Sequence, residues 1–232
     1  AKSIAVSYGD LTWTYDGNPH TVTGYEATAD TDLYDVDADF TFTGTATASR
    51  TEEGTTNMGL KAEQFRNTNA NFATVTFDVT DGYQTITPVA EVVVTIIGHH
   101  STDVYDGEAH NVSGYDVSIS NPLYKEADFT FSGTATASQT DVGTDRMGLD
   151  AEQFANTNSN FAKVTFNVTD GYQTITPAAV TITADNKTKV YDNDPSTDPE
   201  LTATVTGVPA KGVAPVYSVT RAAGQNVGEY AI

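Results

Sequence analysis

The strongest constraint on this chain is that its sequence repeats. Residues 39–88 align without a gap on residues 128–177, 89 positions later, and 39 of these 50 positions are identical. Further upstream, the tripeptide that starts at Tyr15 recurs at Tyr105 with an offset of 90. Because two segments this similar adopt the same fold, the chain contains two copies of one unit of about 90 residues.

A third and more distant copy begins near Val180. There, Tyr191-Asp192-Asn193 stands where the first two copies have Tyr-Asp-Gly, and no equivalent of residues 148–177 follows. We therefore predict three domains: β repeat module 1 at residues 1–90, β repeat module 2 at residues 91–178, and a divergent, C-terminally truncated β module 3 at residues 179–232.

The local pattern within each repeat is that of short strands. Residues 74–79 and 83–87 alternate apolar and polar side chains, and the Asp81-Gly82 dipeptide between them predicts a hairpin turn. Asp16-Gly17, between residues 12–15 and 20–23, predicts a second hairpin. Many short strands with regular turn signals predict an all-β fold of tandem immunoglobulin-like β-sandwich modules arranged end to end. The alternative is a β-grasp-like module with one short helix at residues 62–65.

Composition restricts the partners. The chain has 31 acidic and 11 basic residues and a net charge of −20, which repels phosphate backbones and anionic lipids. We therefore expect no nucleic-acid partner and a monomer, and no apolar run long enough for membrane insertion occurs in this segment. Cysteine is absent, so disulfides and thiol chemistry are excluded. A secreted chain without disulfides is typical of bacterial surface proteins.

No residue pattern indicates catalysis, and we expect neither an enzyme nor a cofactor. Carboxylates could hold calcium weakly in one acidic segment, at Asp30, Asp32, Asp35 and Asp37. This segment lacks the glycine and closing glutamate of an EF-hand loop, so a solvated loop is the preferred interpretation. His20 and His110 recur five residues after a tyrosine, and a histidine bonded across a turn explains them better than a metal site does.

Amides and tyrosines that recur between the copies are the candidate ligand-binding residues. Amides beside aromatic rings bind sugars, because the amides exchange hydrogen bonds while the ring covers an apolar sugar face. Asparagine side chains also close turns on their own backbone, and this structural use is the preferred interpretation. The candidates are Asn67, Asn69, Asn156, Asn158, Tyr83 and Tyr172.

Several short motifs, in this order, resemble the MBG and YDG repeat domains of bacterial cell-surface adhesins. They are Tyr105-Asp106-Gly107, Val142-Gly143, Asn160-Phe161 and the closing sequence Gly171-Tyr172-Gln173-Thr174-Ile175-Thr176-Pro177. The resemblance implies an extracellular location on the bacterial cell surface and a role in adhesion. It carries no binding residues that transfer to this chain.

Two functions remain open at this point. The first is a set of non-catalytic stalk or display repeats that project a distal binding region from the cell. The second is that the repeats themselves bind a host ligand, which would be a glycan, a mucin or an immunoglobulin. A host glycan or glycoprotein is therefore the expected partner if one exists.

Overall fold

The computed structural model describes residues 2–7 and 11–232. The strands of the first repeat are β1 (Lys2–Ser7), β2 (Leu11–Thr14), β3 (His20–Thr23), β4 (Glu26–Ala29), β5 (Phe40–Phe42), β6 (Thr47–Arg50), β7 (Gly54–Asn57), β8 (Phe65–Asn67), β9 (Val75–Val79) and β10 (Tyr83–Thr87). Those of the second repeat are β11 (Val92–Gly98), β12 (His100–Val104), β13 (His110–Ser113), β14 (Tyr115–Ile119), β15 (Phe129–Phe131), β16 (Thr136–Gln139), β17 (Gly143–Arg146), β18 (Phe154–Asn156), β19 (Val164–Thr169) and β20 (Tyr172–Thr176).

The remaining elements are short. The C-terminal segment has β21 (Thr181–Ala184) and β22 (Ala203–Thr206), which pair antiparallel. Single 3-10 turns span Ala62–Gln64, Glu126–Asp128, Ala151–Gln153 and Pro195–Thr197. The short helix of the β-grasp-like alternative, at residues 62–65, is one 3-10 turn over Ala62–Gln64, in which the Gln64 side-chain oxygen accepts the Lys61 backbone N–H at 2.7 Å. The predicted all-β fold is confirmed, and its small sheets are consistent with β-sandwich modules.

Each repeat begins and ends in strands that lie side by side. In the first repeat, β1 lies between antiparallel β4 and parallel β9, and β10 lies between parallel β2 and antiparallel β7. The second repeat has the corresponding orders β14-β11-β19 and β12-β20-β17. Two-stranded ladders complete both repeats, β3 with β6 and β5 with β8, then β13 with β16 and β15 with β18. The same pairing therefore forms twice.

Both predicted hairpins are wrong. β9 pairs with β1 while β10 pairs with β2 and β7, so the two strands that flank Asp81-Gly82 lie in different sheets. β2 and β3, on either side of Asp16-Gly17, are separated in the same way. The turn at Gly17 does form, with φ of 80° and the Asp16 carboxylate accepting the Asn18 N–H at 2.9 Å. It directs the chain to another sheet instead of back along the first.

Aromatic side chains line the interior of the first repeat. Alternation along β1 directs Ile4 and Val6 inward, where they meet Tyr34 and Phe65. The Phe65 ring stacks on Phe42 with centroids 4.8 Å apart. Full burial of side chains of this size contributes about 1.5–3 kcal/mol each, so the repeat has an apolar core without any disulfide.

By internal contacts the chain divides into two compact units. The first contains Ala1–Thr95, Val117–Phe131 and Phe154–Asn167, and the second contains Ile96–Asp116, Ser132–Gln153 and Val168–Ile232. The division into modules 1–90, 91–178 and 179–232 stays a prediction. None of the helices in the described residues is long and apolar enough to cross a membrane.

Candidate functional site

The amide-rich loop of the first repeat is held by its own hydrogen bonds. The Asn67 side-chain amide donates to the backbone oxygens of Asn69 (3.1 Å) and Phe72 (3.2 Å). Its oxygen accepts the Tyr34 hydroxyl at 3.0 Å and the Asn69 backbone N–H at 3.1 Å. Asn69 in turn donates to an Asp39 carboxylate oxygen at 2.7 Å. Asn67 therefore uses both its donors and its acceptor within the loop.

The second repeat builds the same loop. The Asn156 amide donates to the Asn158 backbone oxygen at 3.0 Å, and its oxygen accepts the Tyr124 hydroxyl at 3.0 Å. Asn158 donates to an Asp128 carboxylate oxygen at 2.9 Å. These bonds support the structural interpretation of the four asparagines, because a sugar would have to displace them. Ligand binding by these residues stays a prediction.

Sequence reasoning missed the tyrosine at the centre of each loop. The Tyr34 hydroxyl shares its single proton between the Asn67 side-chain oxygen and the Asp39 backbone oxygen, which lies at 2.8 Å. The Tyr124 hydroxyl shares its proton in the same way between Asn156 and the Asp128 backbone oxygen, which lies at 2.9 Å. Burial, with a smaller contribution from Asp128, raises the pKa of Tyr124 to about 12. The signal available in the sequence was the recurrence of Leu33-Tyr34 as Leu123-Tyr124, which locates the tyrosine but does not show that it is buried.

One end of the second loop is covered by the first repeat. The Glu53 backbone N–H donates to the Asn160 side-chain oxygen at 2.7 Å, and the Asn160 amide donates to the Glu52 carboxylate. The Val89 backbone N–H donates to the Asn160 backbone oxygen at 2.8 Å, and the Ala162 N–H donates to the Val89 oxygen at 2.9 Å. All of these residues belong to the first compact unit. We call this contact the repeat joint.

An aromatic contact completes the repeat joint. The edge of Tyr15 meets Phe161 with ring centroids 5.7 Å apart and an interplanar angle of 77°. Phe161 is 2% exposed and Asn160 is 5% exposed. Their counterparts in the first repeat, Asn71 and Phe72, are exposed and half-buried respectively. Contact with the neighbouring repeat therefore accounts for the burial that distinguishes the two copies.

The two candidate tyrosines occupy equivalent strand positions with different neighbours. Tyr172 lies between His100 and Arg146 in the ladder, stacks on the His100 ring at 5.2 Å, and has the Arg146 guanidinium 5.9 Å from its ring centre. Tyr83 pairs with Asn57. Sugar binding by either tyrosine stays a prediction.

Carboxylates of the acidic segment accept hydrogen bonds from backbone N–H groups of the first repeat. Asp30 accepts the Ser3 N–H at 3.2 Å, and Asp35 accepts the Asp37 N–H at 2.9 Å. Within the part of the chain that the structure describes, no group of three or more His, Cys, Asp or Glu side chains is arranged to hold a metal ion. The weak calcium site stays a prediction.

The recurring histidines lie across turns. Nε2 of His20 is 3.0 Å from an Asp16 carboxylate oxygen, and Nε2 of His110 is 3.1 Å from Asp106. In the first repeat the ring of Trp13 also stacks on His20 at 4.4 Å. This arrangement gives both histidines a structural role.

A glutamine occupies the same buried position of the closing strand in each repeat, β10 in the first and β20 in the second. Gln84 and Gln173 are both 0% exposed. Each side-chain amide donates to the backbone oxygen of the next residue, Gln84 to Thr85 at 3.1 Å and Gln173 to Thr174 at 3.3 Å. Their second bonds differ, because Gln84 donates to the Leu11 backbone oxygen at 3.3 Å and Gln173 donates to the Asp103 carboxylate at 2.8 Å. No donor among the described residues reaches the side-chain oxygen of either glutamine. This missing hydrogen bond is a cost to stability that both repeats carry.

The C-terminal segment has a charged cluster of its own. The Asp198 carboxylate accepts from Arg221 at 2.6 Å and from Lys189 at 3.0 Å. These two bonds, Arg221 first, lower the pKa of Asp198 to about 2. The cluster links residues that are far apart in sequence and so stabilises this segment.

Comparison with known protein families gives a match for this segment. Residues 180–232 match the family model described as the MBG domain (YGX type). The predicted resemblance is thereby confirmed for these residues, and domains of this family occur in bacterial surface proteins. No curated protein and no solved structure gives a match to the chain.

Proposed function

We propose that the two full repeats are non-catalytic stalk repeats of a bacterial surface adhesin and hold a distal binding region away from the cell. The repeat joint is the observation that carries this proposal. A flexible linker leaves the backbone groups between two domains solvated. Here Val89, only a few residues after β10, is hydrogen-bonded on both sides to the second repeat. Because its backbone is hydrogen-bonded to the second repeat, the linker at Val89 limits bending between the repeats.

Strand direction supports the same function. In the first repeat the opening strands β1 and β2 run parallel to the closing strands β9 and β10. The chain therefore enters at one end of the sheets and leaves at the other, so each added repeat adds length. Tension along the chain pulls neighbouring parallel strands in opposite directions, so many ladder hydrogen bonds must break together. This geometry suits an element that transmits force.

The sharpest test is the stiffness of the repeat joint. The chain has no cysteine, so Asp78→Cys and Asn167→Cys, at equivalent exposed positions of β9 and β19, take two spin labels without competing sites. We expect a narrow distribution of label distances in the full chain. Asn160→Ala should broaden the distribution because it removes the side-chain bonds to Glu53 and Glu52. Asn71→Ala is the matched control and should leave the distribution unchanged.

A broad distribution in the unmodified joint would contradict the stalk proposal. Equal distributions for Asn160→Ala and the parent would show that the joint contacts do not set the stiffness.

A second function, binding of a host glycan or glycoprotein, is favoured by the surroundings of Tyr172. Exposed His100 and Arg146 flank this ring, so an aromatic side chain stands between an imidazole and a guanidinium that can form hydrogen bonds. We expect binding to an array of host glycans, mucins and immunoglobulins to be lost in Tyr172→Ala if this function is present. Tyr83→Ala, at the equivalent strand position opposite Asn57, is the comparison variant.

A further inference from the structure

The first repeat carries an uncovered version of the surface that the repeat joint covers in the second. Residues 69–72 read Asn-Ala-Asn-Phe and residues 158–161 read Asn-Ser-Asn-Phe. In the second copy the last two residues are buried by the first repeat, whereas in the first copy they are exposed and half-buried. We call Asn71 and Phe72 the acceptor surface.

We propose that the acceptor surface binds the C-terminal end of another copy of this repeat, joined directly in front of the first repeat in the same polypeptide. This inference rests on the proposed stalk function. It adds that the stalk extends beyond the first repeat through the same joint.

The acceptor surface already has the bound conformation. The Asn71 backbone N–H donates to the Asn69 side-chain oxygen at 2.9 Å, as Asn160 does to Asn158 at 3.0 Å. The Phe72 ring contacts Tyr34 edge-on at 5.2 Å, as Phe161 contacts Tyr124 at 4.9 Å. Since the loop is held in place from within its own repeat, docking needs little ordering, and a preorganised surface binds at lower entropic cost.

The joint also defines what the occupant must present. The first repeat offers the edge of Tyr15, the Glu52 carboxylate, the backbone N–H of Glu53 and the backbone of Val89, which directly follows Thr-Pro. The second repeat keeps these features in sequence at Tyr105, Asp141, Val142 and Ala178. Both copies of the repeat therefore encode a suitable C-terminal end, and the partner chemistry is that of the repeat itself.

The same-chain arrangement is favoured over a second molecule. A net charge of −20 makes separate chains repel each other, whereas a short linker gives the docking end a high effective concentration. A preceding repeat closes the joint as an intramolecular step, as the first repeat does on the second.

The test uses the full chain and an extended chain with one additional copy of residues 1–90 in front. In the extended chain, Asn71→Ala is made in one of two places. It is made either in the added N-terminal copy or in the original first repeat, which now follows another repeat. In the parent chain we expect Asn160→Ala to lower the melting temperature by about 4 °C and Asn71→Ala by less than about 1 °C. In the extended chain, Asn71→Ala should cost about 4 °C only in the copy that follows another repeat.

The two proposals fail in different ways. If Asn160→Ala has no effect in the parent chain, the repeat joint itself is refuted. If Asn160→Ala acts but Asn71→Ala has the same small effect in both copies of the extended chain, only the acceptor surface is refuted. Concentration-dependent association of the parent chain in sedimentation, abolished by Asn71→Ala, would overturn the same-chain assignment in favour of docking between molecules.

Discussion

The same substitution at the two buried glutamines should change the stability of the two nearly identical repeats in opposite directions. The change is Gln84→Leu in the first repeat and Gln173→Leu in the second. Leucine has a similar volume, so neither change leaves a large cavity. The two side chains have the same burial and both donate to the backbone oxygen of the next residue, but the second partner is the Leu11 backbone oxygen for Gln84 and the Asp103 carboxylate for Gln173.

The expected magnitude for Gln84→Leu follows from its contacts. A buried acceptor without a donor costs about 1–3 kcal/mol, and leucine removes that cost. The bonds lost are those to Leu11 and Thr85, at 3.3 and 3.1 Å, and bonds of this kind contribute about 0.5–1.5 kcal/mol each. Burial of the added apolar surface contributes in the favourable direction. We expect a net stabilisation of the first repeat of about 1 kcal/mol.

Urea unfolding followed by tryptophan fluorescence measures this change. Trp13 is the single tryptophan of the chain and lies on β2, opposite Ile86 of β10, so its signal reports the sheet that contains Gln84. With a urea dependence of about 1–3 kcal/mol per molar, the midpoint should rise by about 0.5 M.

Gln173→Leu should act in the opposite direction. It removes a charge-assisted bond to Asp103 and leaves an apolar side chain beside a carboxylate. Hydrogen exchange at the amides of residues 172–176 should become faster in this variant, while exchange at residues 83–87 stays as in the parent. A lowered midpoint for Gln84→Leu, or the same direction of change in both repeats, would refute the reasoning.

Two pH-dependent effects follow from the second repeat. The raised pKa of Tyr124, about 12, means that the unfolded chain loses this proton first, so stability should fall from about pH 10 to about pH 12. Tyr124→Phe should flatten that fall in unfolding experiments and should also destabilise the repeat at pH 7, since its bonds to Asp128 and Asn156 are lost. The hydrogen bond from the Gln173 amide lowers the pKa of Asp103. The Asp103 carboxylate therefore stabilises the fold at pH values above the ordinary pKa of an aspartate, and this stabilisation is lost as the pH falls through the lowered pKa. Asp103→Asn should reduce the acid sensitivity of exchange at residues 172–176, and an unchanged acid profile would contradict the assignment.

Much of the fold was predictable from local pattern, while the pairing of the strands was not. Alternation in residues 74–79 and 83–87 located β9 and β10 correctly, because alternation reflects which face of a strand is buried. The hairpin assigned to Asp81-Gly82 was wrong, since turn residues specify that the chain changes direction and not which strand it joins. β1 takes the place beside β9, from more than 70 residues away in sequence.

The candidate site shows the same division. The order of amides in residues 67–72 predicted self-closed turns, and Asn67 forms them, because asparagine makes such bonds with its own backbone wherever it occurs. The role of Tyr34 depended on burial, which a single tyrosine in a polar stretch does not reveal.

The sequence by itself determined that one β unit is formed twice, because residues that share local pattern and apolar positions reach the same fold independently. Only the tertiary structure decided that Asn160 and Phe161 are buried while Asn71 and Phe72 remain accessible. The two pairs are identical in type and have nearly identical neighbours along the chain, so no local rule separates them. What separates them is the neighbour in space, since burial depends on which other surface lies against a residue.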